Sequence, residues 1–178
     1  MNLVVGHTNI MHNTPGTLVL IAGLPGSGKS CWMQTNTPVA DFFVADDFMA
    51  HAYGDIGRFT YSRWYCPLVF ALRAGRNAAI SDIAFCDVER RKEAERVMTD
   101  AVENLVYHWV FFEHAPDPCR QNIERDAREK GRAPQKRLQA LEDWSHRYCI
   151  PPGAPTESVF RAFGQPCAQH RSGTQHIL

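Results

Sequence analysis

The sequence predicts an α/β domain in which a parallel sheet of about five strands is covered by helices on both faces and carries a helical lid. Three observations support this fold class. The apolar run Leu18–Ala22 leads directly into the motif G-x-x-x-x-G-K-S at Gly23–Ser30, two later apolar runs each end in aspartate, and helix-like patterns separate these runs. Strands that alternate with helices form parallel sheets, because each connection must cross the sheet.

The glycine-rich stretch after the first strand predicts a phosphate-binding P-loop, with a chance match in a glycine-rich turn as the alternative. Its glycines allow a tight turn, and a helix that begins near Lys29 directs backbone N–H groups at an anion. In P-loops the lysine reaches the β- and γ-phosphates, and the serine hydroxyl binds Mg²⁺. We therefore expect a P-loop NTPase-type sheet that binds ATP and Mg²⁺ through Gly23, Leu24, Pro25, Gly26, Ser27, Gly28, Lys29 and Ser30.

Composition limits the classes of partner. The 178 residues carry 19 basic and 19 acidic side chains, a balance that argues against a coat of nucleic acid but leaves a local basic surface open. No apolar run approaches the roughly 18 residues of a membrane-spanning helix, so no membrane partner is expected. Six scattered cysteines predict reduced thiols in the cytoplasm and no zinc site. The sequence does not indicate an oligomeric state.

The two ends of the chain differ from its middle. Residues 1–16 predict a flexible N-terminal extension that ends in the turn-forming Thr14–Gly16. The ordered domain is expected over 17–163, and its P-loop helix should end before Pro38. Residues 164–178 lack periodicity and are expected to form a flexible tail.

Two predicted strands end in acidic residues. Asp41–Ala45 predicts a short second strand followed by Asp46 and Asp47, and Asn77–Asp82 predicts a third strand that is apolar and then ends in the acid Asp82. Such acids point into the ligand crevice of an open α/β sheet, although one of the two acids after the second strand is expected to be a helix N-cap. The third strand has the form of a Walker B strand, whose carboxylate holds Mg²⁺ or orients the attacking group.

The segment from Arg58 to Arg76 is basic and aromatic. It contains no acidic residue, and side chains of this mixture can bind phosphates and stack bases. A core-facing helix stripe explains the apolar positions equally well, so the arginines are the stronger binding candidates. The arginines are Arg58, Arg63, Arg73 and Arg76, and the stripe is Trp64, Leu68, Phe70, Ala71 and Leu72.

The remaining elements follow from charge and hydrophobicity. Asp87 is expected to begin a charged helix that runs to about Asn104 with its charges mostly solvated. The nearly continuous apolar run Leu105–Phe112 predicts a fourth strand that is covered on both faces. A helix is expected to begin at Pro134 and to run to about Cys149, and Glu157–Phe163 is a candidate fifth strand at the sheet edge.

A lid is predicted at about 117–134, in a helix that begins at Pro116. Its arginines are spaced by three and four residues and therefore share one face. A row of arginines suits a clamp on phosphates, which a kinase needs to neutralise charge and exclude water. The alternative is an exposed face neutralised by nearby acids. The arginines are Arg125, Arg128 and Arg132, and the acids are Glu124, Asp126 and Glu129.

The order of these elements resembles the kinase domain of phage and bacterial polynucleotide 5′-kinases and, more broadly, the zeta-toxin-like P-loop kinases, from about Leu18 to Trp144. The resemblance implies that Lys29 contacts the phosphates of ATP and that Asp46 is the general base toward the acceptor hydroxyl. It implies that Arg125 and Arg128 close over the phosphates and that Asp82 lies on the metal side. For a phage-encoded member the location would be the host cytoplasm.

Two departures from this family concern the acceptor. The position three residues beyond the base holds Met49 instead of arginine, and Ile83–Cys86 replaces the usual Thr-Asn. The resemblance implies transfer of the γ-phosphate to a nucleic-acid hydroxyl, on a hydroxymethylated base such as 5-hydroxymethyluracil in DNA or at a 5′-hydroxyl end. One alternative is a small-molecule kinase acting on a nucleoside, a nucleotide sugar or another metabolite. A nucleotide-dependent switch or ATPase without an acceptor is the other.

Overall fold

The structure, a computed structural model, describes residues 14–38, 40–46 and 65–159. Several positions singled out in the sequence lie outside these residues. They are the N-terminal extension up to residue 13, Asp47, Met49, Arg58, Arg63, Trp64 and the tail from residue 164.

Strands and helices alternate along the described chain, as the sequence predicts. The strands are β1 (Leu18–Ala22), β2 (Phe42–Asp46), β3 (Asn77–Ser81), β4 (Tyr107–Phe112) and β5 (Thr156–Glu157). The α-helices are α1 (Lys29–Asn36), α2 (Tyr65–Arg73), α3 (Val88–Ala101), α4 (Pro116–Lys130) and α5 (Gln135–Ser145), and a 3₁₀ helix spans Ile83–Cys86.

The strands form one sheet in the order β2-β3-β1-β4-β5, and each neighbouring pair is parallel. The predicted α/β fold class is therefore confirmed. Because β3 and β4 flank β1, their carboxyl ends lie beside the start of the P-loop. The register pairs Ile21 with Ser81 and Asp46 with Ser81, which brings the ends of β1, β2 and β3 to one edge of the sheet.

The fifth strand differs from its prediction in position and length. It covers Thr156–Glu157 and pairs with Phe111 and Phe112 at the sheet edge, instead of covering Glu157–Phe163. The ladder ends early because the next amide that could extend it, that of Val159, donates to the Glu113 carboxylate at 3.0 Å. The residues from 160 onward lie outside the described part of the chain.

The helix stripe on α2 is confirmed at three positions and is wrong at one. Leu68, Ala71 and Leu72 are buried against the sheet, whereas Phe70 is 76% exposed. Phe70 lies two residues from Leu68, which places it about 200° around a helix from the buried face.

Two arginines of the basic and aromatic segment bond to backbone carbonyls. Arg73 donates through Nε and Nη2 to the carbonyl of Ala101 at 3.0 and 2.5 Å, and Arg76 Nη2 donates to the carbonyl of Phe42 at 2.7 Å. These contacts join α2 to the end of α3 and to β2. Both arginines therefore hold the fold together, which does not support their role as phosphate ligands.

The charges of α3 are mostly solvated, as expected. Lys92 pairs with Glu89, and Arg96 pairs with Glu93 and Asp100, all within three or four residues. Arg91 is the exception, because it is 5% exposed and donates to the carbonyls of Phe85 and Cys149, both at 2.7 Å. In the described residues no helix has the length and apolar character that crossing a membrane requires.

Candidate nucleotide site

The P-loop lies between β1 and α1 at the edge of the sheet where the strands end. Gly28 has φ 103° at the start of α1, and Gly26 has φ 82°. Both values fall in the left-handed region that favours glycine, so the loop follows a path that L side chains rarely adopt. The loop connects the end of β1 at Ala22 to the first turn of α1 at Lys29.

The ammonium of Lys29 is folded into the loop. Its Nζ donates to the carbonyl of Gly23 at 2.6 Å and to that of Leu24 at 3.1 Å. Burial lowers the pKa of Lys29, while nearby acidic groups, Asp46 and Asp82 among them, act in the opposite direction. An ammonium has three donors, so after these two carbonyls one donor is left for an anion.

Ser27 carries a buried hydroxyl for which the described residues supply no hydrogen-bond partner. The residue is 1% exposed, and its Oγ would lie 2.9 Å from a Cβ built on Gly23. A buried polar atom without a partner costs about 1–3 kcal/mol. A loop with an orphaned hydroxyl and a desolvated ammonium fits a bound phosphate chain, which would satisfy both groups.

Asp46, the predicted base, lies beside the predicted metal ligand. Its Oδ2 accepts a hydrogen bond from Ser30 Oγ at 2.8 Å, and its Oδ1 accepts one from Ser81 Oγ. Asp46 and Ser30 are exposed, whereas Ser81 is fully buried. The structure thus places an accessible carboxylate next to the hydroxyl that the P-loop motif assigns to Mg²⁺.

Asp82, predicted on the metal side, is 2% exposed and acts as the N-cap of the 3₁₀ helix. Its Oδ1 accepts from the backbone N–H of Ala84 at 2.8 Å. This helix was not predicted from the sequence, although aspartate is a favoured N-cap residue. Asp82 belongs to the charges that surround Lys29, and its role toward Mg²⁺ stays a prediction.

Helix α4 reaches the P-loop through Asn122, which the sequence analysis missed. Asn122 Nδ2 donates to the carbonyl of Gly26 at 2.9 Å. A Cβ built on Gly26 would lie 2.4 Å from the carbonyl oxygen of Cys119, so the loop and α4 are in direct contact. The amino-terminal half of the predicted lid therefore packs on the phosphate loop itself.

The predicted lid arginines have different surroundings. Arg125 pairs with Glu129 at 3.5 Å and donates to Asn122 Oδ1 at 3.3 Å, which links it to the side chain that contacts the loop. Arg128 lines a cavity of about 450 Å³ between α4 and the start of α5. The acid Asp126 pairs instead with Lys130 and with Arg137 of α5. Glu129, one of the three acids in the alternative interpretation, thus pairs with the predicted clamp residue Arg125.

Tyr148 bonds to the ends of the two strands next to the loop, a role that was also not predicted from the sequence. Its hydroxyl donates to the carbonyl of Phe112 at 2.5 Å and lies 3.2 Å from that of Ala22, at the ends of β4 and β1. Burial raises the pKa of this phenol. A sequence pattern gives no sign of such a contact, because 126 residues separate Tyr148 from Ala22.

The expectation of six reduced thiols is wrong at Cys31, which is disulfide-bonded. Cys66, Cys86, Cys119 and Cys149 are free thiols, the first and last exposed and the other two buried. Cysteine spacing could not distinguish these cases, because pairing depends on which segments meet in the fold.

No protein-family model matches the sequence, and no curated protein matches it. A solved structure that bears the name "putative kinase from Chloroflexus aurantiacus" superimposes with a TM-score of 0.55 at 16% identity, over 82% of this chain and 85% of that chain. A chain of the Pnkp1/Rnl/Hen1 RNA repair complex matches with a TM-score of 0.47 at 15% identity, over 81% of this chain and 49% of that chain. The first similarity confirms the α/β fold.

Proposed function

We propose that the chain is an ATP-dependent kinase that transfers the γ-phosphate to a hydroxyl on a nucleic acid. One observation carries the kinase part of this proposal: the accessible Asp46 carboxylate lies 2.8 Å from Ser30, the metal serine of the P-loop motif. An acid beside this serine can help hold Mg²⁺ in any P-loop NTPase, and in a phosphotransferase an exposed acid at this point can also accept the proton of the acceptor.

The residues present fit ATP with Mg²⁺. The loop Gly23–Ser30 would hold the phosphates through its backbone N–H groups and Lys29, and Ser30 would hold the metal, with Asp82 as a second candidate. When bound, Mg²⁺ supplies positive charge to the β- and γ-phosphates. The ammonium of Lys29 also stabilises the negative charge of these phosphates. Its partial burial in the loop strengthens this attraction, because less water screens it.

The chain's own groups would then move one proton and position one phosphoryl group. Asp46 accepts the proton of the acceptor hydroxyl as that oxygen forms its bond to the γ-phosphorus. The bond from the γ-phosphorus to the bridging oxygen of ADP breaks, and ADP leaves. Arg125 and Arg128 would neutralise the transferring group from α4, since positioning and charge stabilisation account for most catalysis of this reaction.

The nucleic-acid acceptor rests on the resemblance to polynucleotide 5′-kinases and on the basic and aromatic character of Arg58–Arg76. With Met49 at the position that family uses for an arginine, a hydroxymethylated base is a better candidate than a 5′ end. A small-molecule acceptor is the second candidate. The bonds of Arg73 and Arg76 to carbonyls favour it, because they use donors of both guanidiniums within the fold that would otherwise bind phosphates.

Transfer of label from γ-labelled ATP tests the proposal. The acceptors are 5′-hydroxyl DNA and RNA, DNA that contains hydroxymethyluracil, nucleosides and amino sugars, with D46N as the matched inactive control. Label on DNA or RNA supports the nucleic-acid proposal, and label on a nucleoside or sugar alone supports the second candidate. Free phosphate at the same rate with every acceptor would show a nucleotide hydrolase and refute both.

A further inference from the structure

Asp46 has both of its carboxylate oxygens occupied by serine hydroxyls on neighbouring segments. Ser30, in the first turn of α1, donates to Oδ2, and Ser81, at the end of β3, donates to Oδ1. The P-loop motif accounts for Ser30 and the predicted base accounts for Asp46. Neither accounts for Ser81.

The position of Ser81 follows from the sheet. The parallel register sets Ser81 directly beside Asp46 on one side and beside Ile21 on the other, one residue before β1 ends at Ala22. Ser81 is fully buried, and its backbone is fixed by both neighbouring strands. Its hydroxyl is therefore a donor on a rigid support, whereas Asp46 ends the edge strand β2 and is exposed.

We propose that Ser81 is a positioning residue that holds the Asp46 carboxylate against Ser30, and so couples the metal-binding hydroxyl to the proton acceptor. The inference rests on the proposed kinase function and deepens it. A carboxylate can rotate about its last side-chain bond, and a donor on each oxygen fixes that rotation. With Oδ2 held toward Ser30, the serine proton points at Asp46 and the lone pairs of Ser30 Oγ stay available for a cation.

The experiment measures Mg²⁺ binding in a complex of the protein with a non-hydrolysable ATP analogue, by calorimetry, so that no acceptor is needed. In S81A we expect the apparent dissociation constant for Mg²⁺ to rise about tenfold, the effect of one lost hydrogen bond to a charged group. Affinity for the analogue in EDTA should stay within about twofold, because the Ser81 hydroxyl donates to Asp46, which is not a predicted phosphate ligand. S145A is the matched control, since the Ser145 hydroxyl donates to a carbonyl of its own helix.

A double-mutant cycle separates positioning from a structural role. If Ser81 acts through Asp46, S81A should change Mg²⁺ binding by less than about twofold in a D46A background. S81T keeps the hydroxyl and should restore most of the wild-type Mg²⁺ affinity, and melting temperatures show whether each variant is folded. If S81A does not fold, Mg²⁺ affinity is compared between S81T and S81C instead. Cysteine has nearly the volume of serine but is a weak donor, so the difference reports the contribution of the hydroxyl.

Equal Mg²⁺ affinity in S81A and wild type would overturn the inference, and so would an equal loss with and without the Asp46 carboxylate. Failure of the proposed kinase function gives a different result. A wild-type protein that binds the Mg²⁺–analogue complex but labels no acceptor refutes the kinase proposal, and the double-mutant cycle of Mg²⁺ binding can still be measured. A wild-type protein that binds no Mg²⁺–nucleotide refutes both.

Discussion

The side-chain amide of Asn122 donates to the carbonyl of Gly26 at 2.9 Å, across 96 residues of sequence. This bond joins α4 to the P-loop at its tightest turn, where Gly26 has φ 82°. The carbonyl of the same amide accepts from Arg125 at 3.3 Å. Asn122 therefore links the loop that would hold phosphates to an arginine that would neutralise them.

We predict that N122A weakens nucleotide binding about three- to tenfold, because one half-buried hydrogen bond contributes about 0.5–1.5 kcal/mol. The loss should come from a less ordered Gly26 and from the loss of one of the hydrogen bonds that hold Arg125. Calorimetry with a non-hydrolysable ATP analogue measures the change in affinity. Q121A is the control, because Gln121 is the exposed residue that precedes Asn122 on α4. Unchanged affinity in N122A would show that the bond has no part in holding the nucleotide.

Substitution of Gly26 by alanine should destabilise the protein more than the same substitution at Gly131, a glycine of similar backbone conformation. Gly26 and Gly131 both have positive φ, 82° and 60°, but a Cβ on Gly26 would lie 2.4 Å from the Cys119 carbonyl, and a Cβ on Gly131 would meet nothing within 4 Å. The left-handed conformation alone costs a non-glycine residue about 1–2 kcal/mol. G131A should lose about that much unfolding free energy, and G26A should lose more.

Urea unfolding of G26A and G131A measures both losses under the same conditions. Nucleotide affinity adds a second test, because G26A shifts the P-loop relative to α4 while G131A changes only the end of α4. Equal stability losses and equal affinities would mean that α4 moves aside at no cost and that the contact with the loop is loose.

The sequence predicted the P-loop and its flanking elements well because one local motif specifies the end of a strand, a glycine turn and the start of a helix. The role of Asn122 could not be predicted in this way, since its bond to Gly26 depends on how α4 docks. Ser81 was placed in its strand correctly, one residue before the predicted end at Asp82, but its bond to Asp46 follows from strand order and register. The two-residue strand β5 has too short a pattern to be located from sequence.

Lys29 and Asp46 should separate nucleotide binding from transfer. K29A removes a half-buried cation from the phosphates and should lower the rate of transfer about 10²-fold or more while also weakening nucleotide binding. D46N keeps the shape of the side chain but removes the base, so transfer should fall about 10²–10⁴-fold. Its affinity for nucleotide, measured without Mg²⁺, should stay within about twofold of wild type.

Initial rates with γ-labelled ATP and the best acceptor, together with calorimetry, give both quantities. K136A serves as a control for the loss of a lysine, because Lys136 is exposed in the first turn of α5. A D46N protein that turns over at the wild-type rate would exclude Asp46 as the base. A K29A protein with full activity would show that the loop binds no transferred phosphate.

The free cysteines next to the P-loop should resist modification, in contrast to those on the surface. Burial raises the pKa of Cys86 to about 11 and that of Cys119 to about 12, and Lys29 acts in the opposite direction on both. At pH 8 both thiols are therefore protonated and shielded, while Cys66 and Cys149 are exposed to the reagent. Maleimide labelling followed by peptide mass mapping should modify Cys66 and Cys149 at least about tenfold faster than the buried pair.

The same experiment reports on Lys29 because the buried thiols feel its charge. In K29A the cation that lowers the pKa of Cys86 and Cys119 is gone, so both thiolates become still less populated. The label should then appear on the buried cysteines only through opening of the protein, at a rate that urea increases. Rapid, pH-dependent labelling of Cys86 in the folded wild-type protein would contradict the buried, protonated state of this thiol beside the loop.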